Sequence, residues 1–122
     1  MSLHFLDFDY SEDDAGVATW DAMASVSATR LAPLVAEIES ILGWAHDLLG
    51  AEFGPQEEGG LWQYDLQCER QGQPLTELHF DPQRRCIALP REIGAEERVT
   101  LSLSLSGEAA FAEAFTERFG PF

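Results

Sequence analysis

Carboxylates are the side chains with which this chain could do chemistry. Asp7 and Asp9 flank Phe8 near the N-terminus, Asp21 follows Trp20, and Glu57-Glu58 precede Gly59-Gly60-Leu61-Trp62. Carboxylates brought together can hold a divalent cation, share a proton at a raised pKa, or attract a basic ligand. Asp9-x-Ser11-x-Asp13 has the start of a calcium loop. However, the next position is Asp14 instead of the glycine needed for the sharp turn, and the twelfth place is Trp20, which excludes an EF-hand. His4, His46 and His79 are scattered, with no pair at metal-ligand spacing. His79 and Cys86 could face each other across two strands, the minimum for a thiol nucleophile. No Gly-rich phosphate loop, serine elbow or zinc-protease helix is present. These patterns assign no catalytic residue, metal ligand or cofactor.

Charge decides which partners are compatible. The chain of 122 residues has 22 acidic residues, seven arginines and no lysine, for a net charge of −15. Such a surface repels nucleic-acid backbones and anionic membranes and attracts basic proteins or peptides. The balance is −11 over residues 1–60 and −4 over residues 61–122, and Arg84, Arg85, Arg91 and Arg98 form the one locally basic stretch. Apolar runs are too short to span a bilayer and no export signal is evident, so a cytoplasmic protein is expected. Cys68 and Cys86 are too few for a disulfide framework and read as small hydrophobes.

The elements that must position these groups follow from periodicity. Val99, Leu101, Leu103 and Leu105 alternate with Thr100, Ser102, Ser104 and Ser106, a strand with one buried face. Phe111, Phe115 and Phe119 then recur every four residues, one face of a helix capped by Ser106 and closed by Gly120-Pro121. Leu31, Leu34, Val35, Ile38, Ile41, Leu42, Ala45, Leu48 and Leu49 form the stripe of a longer helix between Ala28 and Gly50. Ser27 or Thr29 can cap it, and Pro33 must lie in its first turn. Glu37, Glu39, Ser40, Gly43, His46 and Asp47 fall off that stripe, and His46 sits where the helix dipole favours a charged ring.

Residues 3–10 and 17–26 alternate as a first hairpin, and residues 61–69, 75–80 and 84–89 read as a three-stranded meander. Pairing Phe8 with Trp20 sets Asp7 opposite Asp21, an unfavourable like-charge pair that calls for an arginine, a cation or a raised pKa. The same register puts Phe5 opposite Met23, an apolar patch suited to a dimer contact. In the meander, Leu78 opposite Ile87 brings His79 to Cys86. The order ββαββββα predicts one two-layer α+β domain over residues 1–122, an antiparallel sheet of about six strands with both helices on one face. The other face stays open to water or a partner.

Asp7-Phe8-Asp9 resembles the Asp-x-Asp opening of haloacid-dehalogenase-type phosphotransferases, but that family needs a parallel core and a basic phosphate-binding residue, usually lysine. Three longer phrases, residues 6–13, 21–26 and 58–67, resemble small, functionally uncharacterised bacterial proteins. This likeness would span most of the chain and implies no activity. The expectation is an acidic, non-catalytic interaction module for a basic protein or peptide, with homodimerisation left open. Its candidate contact residues are Phe5, Asp7, Asp9, Glu12, Asp13, Asp14, Asp21, Met23, Glu57 and Glu58. The competing expectation is a small-ligand or divalent-metal protein, or an enzyme, using Asp7, Asp9, Asp21 and Glu58.

Overall fold

The computed structural model describes residues 3–54, 59–90, 93–94 and 96–120. The chain order is β1 (Asp9–Glu12), β2 (Ala18–Ser27), α1 (Leu31–Leu49), β3 (Trp62–Arg70), β4 (Thr76–Glu77), β5 (Phe80–Asp81), β6 (Cys86–Ile87), β7 (Arg98–Gly107) and α2 (Ala109–Phe119). A five-stranded antiparallel sheet has the order β1-β2-β7-β3-β4, and β5 and β6 form a separate two-stranded ribbon. The expected single six-stranded sheet is therefore divided, because the 75–80 segment leaves the sheet after Glu77. Leu75 stays exposed, whereas Leu78 and Phe80 are both buried.

β7 is the central strand, hydrogen-bonded along its length to β2 and β3. Its inward residues Val99, Leu101, Leu103 and Leu105 are at most 1% exposed. They lie in cross-strand rows with β2 and β3, among them Ala22–Leu103–Leu66 and Ala24–Leu101–Cys68. Both helices cover this face. Trp62 on β3 touches His46 of α1 and stacks on Phe111 of α2, with ring centroids 5.0 and 5.5 Å away respectively. Trp20 on β2 packs on Phe111 and Phe115, and Trp44 of α1 lies against Phe111, Phe115 and Phe119. Gly107 permits the tight return of α2: a Cβ there would sit 2.5 Å from Phe111 Cδ1. Among the described residues no helix is long and apolar enough to cross a membrane.

Helix starts differ from expectation, whereas Gly50 and Gly120 hold the C-cap positions as their sequence predicts. Neither helix has a side-chain cap; Ser27 and Thr29 hydrogen-bond each other, Ser106 remains within β7, and Glu108 holds the N-cap position of α2. Gly120 donates its N–H to the Thr116 carbonyl at 2.8 Å, and Pro121 lies outside the described residues. Pro33 does fall in the first turn of α1.

The expected first strand is mostly an irregular strap. Residues 3–8 cross over the helical layer, with Leu6 and Phe8 buried and Phe8 edge-on to Phe115. Their backbone needs acceptors that no strand provides, and Glu37 supplies them. Its carboxylate, only 8% exposed, accepts the N–H groups of His4, Phe5 and Leu6. An acid assigned to the wet side of α1 is thus a buried anchor. Replacing Glu37 with Ala should lower unfolding stability by about 2 kcal/mol, the scale of buried donors losing a charged acceptor. Denaturant titration and faster amide exchange at Phe5 and Leu6 would check this.

Candidate functional site

The face of the sheet turned away from the helices has no covering element among the described residues. It is built from the outward positions of the strands: Asp9 and Ser11 on β1, Thr19, Asp21, Met23 and Ser25 on β2, Thr100, Ser102, Ser104 and Ser106 on β7, and Gln63, Asp65, Gln67 and Glu69 on β3. Alternation alone makes it polar. What concentrates charge is the register: Asp9 pairs with Asp21, Asp21 with Ser104, and Ser104 with Asp65. Three aspartates from three strands therefore stand in one transverse row, with neighbouring strands about 4.8 Å apart.

That row crosses a shallow, open depression of about 550 Å³. Asp7, Met23, Gln67 and Ser102 are also among its lining residues, and among the described residues no arginine or histidine is. The Gln67 side-chain amide donates to Asp65 Oδ1 at 2.9 Å, fixing that carboxylate. Met23, 66% exposed, is a large apolar side chain standing out on this face. Among the described residues no group of three or more His, Cys, Asp or Glu side chains is close enough to hold a metal ion. Carboxylates spread over separate strands add up to a negative field on this face.

The candidate residues separate into groups. Asp7, Asp9, Asp21 and Met23 meet at the depression, whereas Phe5 does not pair with Met23. Phe5 lies beneath the Arg30 guanidinium, 5.4 Å from its ring, and is held by Glu37. Glu12 and Tyr10 lie on the β1 edge, where Tyr10 OH donates to Glu12 Oε2 at 2.8 Å, and this bond raises the Tyr10 pKa. Asp13 organises the hairpin loop by accepting the N–H groups of Ala15 and Val17, both at 2.9 Å. Asp14 is exposed on the same loop, and Glu57 and Glu58 lie outside the described residues. Asp65, Gln67, Ser102 and Ser104 were not foreseen as partners of Asp21, because nothing local says that β7 separates β2 from β3.

The register of the first hairpin is offset by two residues from expectation: Asp9, not Asp7, is opposite Asp21, and Tyr10, not Phe8, is opposite Trp20. The like-charge pair survives the shift, with no arginine lining it among the described residues. In the ribbon, Phe80 pairs with Ile87 and Asp81 with Cys86, so the expected His79–Cys86 pair does not form. Cys68 is buried, which pushes its thiol pKa up and keeps it protonated and inert, while Cys86 is exposed instead of packed.

The chain matches no protein-family model and has no significant match among curated proteins or solved structures. The acidic row costs stability wherever its charges face each other. Asp21→Asn should accordingly raise unfolding stability by about 0.5 kcal/mol at low salt. The gain should shrink as salt screens the row, readable as melting curves at several ionic strengths.

Proposed function

We propose that the uncovered sheet face is a docking surface for a basic protein or peptide and that the chain acts by binding, not catalysis. The observation behind this reading is the transverse row Asp9–Asp21–Ser104–Asp65 on a face that folding leaves open. A stability-neutral surface would alternate signs across the ladder, since like charges opposite each other are unfavourable. Here a depression with four aspartates in its lining has no basic residue among the described ones to balance them. A partner bearing lysine or arginine would relieve the repulsion, and the whole-chain charge of −15 would speed its encounter. Met23 offers the apolar contact around which such a polar interface can close. Two copies of this chain would not pair through the same face at neutral pH, because aspartates would meet aspartates.

A small cationic ligand is the second reading. The volume of about 550 Å³ favours it, falling in the range of small-molecule sites. Titrating the protein with a lysine-rich peptide and, separately, with a linear polyamine distinguishes the two. Docking predicts that peptide affinity falls roughly 2- to 5-fold for each of Asp9→Asn, Asp21→Asn and Asp65→Asn, the scale of one partly exposed ion pair. Affinity should also fall steeply with salt. Peptide binding indifferent to all three substitutions would overturn the proposal, and polyamine binding alone would move it to the second reading. Divalent cations that raise the melting temperature at micromolar concentration would favour a metal-dependent form of that second reading.

A further inference from the structure

Outside the acidic face, the ring of His46 occupies an unusual environment. His46 lies in the last turn of α1, with Phe53, Trp62 and Phe80 around it at ring-centroid distances of 5.3, 5.0 and 5.3 Å. The Phe80 ring is stacked on it at an interplanar angle of 18°. Its Nε2 atom is buried and meets no hydrogen-bond partner among the described residues. A neutral imidazole tolerates this box, but a charged one carries a second N–H donor that no acceptor among the described residues meets.

Phe80 belongs to the β5–β6 ribbon, which is not part of the main sheet. A two-stranded ribbon is marginal by itself, so this one depends on its docking. The Tyr64 hydroxyl accepts the Phe80 N–H at 2.9 Å, and the Glu39 carboxylate accepts the Ile87 N–H at 2.8 Å. Arg85 lies across Gly43 of α1, where a Cβ would come within 2.5 Å of its guanidinium, and donates to Asp47 at 2.7 Å. The stack of Phe80 on His46 adds to these attachments and to the burial of Phe80 and Ile87 in the core.

We propose that His46 is a proton-operated latch: charging its ring expels it from the aromatic box and frees the β5–β6 ribbon from α1. The surrounding charges set the direction. Burial pushes the imidazole below its ordinary value; Asp47 opposes that shift and Arg85 adds to it. Desolvation is the largest of these effects. Other titratable or charged groups on the described segments around the ring include Glu39 of α1, Glu52, Tyr64 and Asp65 of β3, and His79, Asp81, Arg84 and Cys86 of the ribbon and its approach. Because the docked state prefers the neutral ring, its stability is complete above the free-imidazole value of about 6.5 and is lost as the pH falls below it.

The test follows the ring protons of His46 by NMR alongside amide exchange at Phe80 and Ile87, between about pH 8 and 5, where imidazole is the side chain that ordinarily changes charge. The latch predicts a His46 midpoint below the ordinary value. It also predicts a several-fold loss of ribbon protection over the same range, after correction for intrinsic exchange, with β2 and β7 amides unaffected. In His46→Phe, which keeps a ring in the box, ribbon protection should become independent of pH. His46→Gln serves the same purpose if the phenyl ring perturbs packing, and His79→Gln should leave the response intact. A His46 midpoint at or above the ordinary value, a response persisting in both His46 variants, or one abolished by His79→Gln would overturn the proposal.

Discussion

The structure depends on the one-sided burial of β7. Four large aliphatic residues at alternate positions must leave water, and the polar residues between them must not. A strand of this kind in the middle of an antiparallel sheet imposes its two faces on the strands beside it. Trp20 and Trp62 are carried to the dry side in register with it, and the two helices converge on the surface these residues form. Phe111, Phe115 and Trp44 then seal the helices to each other as well as to the sheet.

Once both helices lie on one side, the chain has no element left among its described residues to cover the other. Its openness follows from covering the first face, not from a separate device. The aspartates at Asp9, Asp21 and Asp65 occupy ordinary outward positions of their own strands. They become a concentrated feature only because the ladder aligns them, and the Coulombic cost of that alignment is what makes the face a binding surface in our reading.

Two charged or titratable side chains of α1 show how burial redirects polar residues. Glu37 lies off the apolar stripe, yet it is buried because the 3–8 strap brings three unpaired N–H groups to it. His46 has a helix-end position that favours charge, yet the aromatic rings of three other segments desolvate it. In both cases the local preference was sound, and a segment distant in sequence reversed it. The strap and the ribbon both lie outside the main sheet, and each leans on α1 for a carboxylate acceptor, Glu37 or Glu39.

Periodicity was enough to locate α1, α2, β2, β3 and β7 and to say which of their residues face inward, because burial repeats with the geometry of a single element. Faces were also legible where pairing was not. Both hairpin registers differ from expectation by two residues, and an even slip leaves every side chain on the same side of a sheet, so Asp21 still meets an aspartate while His79 loses Cys86. The composition likewise shows that the chain is acidic, since charge is a sum and needs no fold. Strand order is different: it depends on contacts between segments far apart in the chain. Only the tertiary structure placed β7 between β2 and β3, aligned Asp65 with Asp21 through Ser104, and detached the β5–β6 ribbon to pack on α1. Those pairings are decided by how the apolar surfaces of all elements fit at once, which no local pattern records.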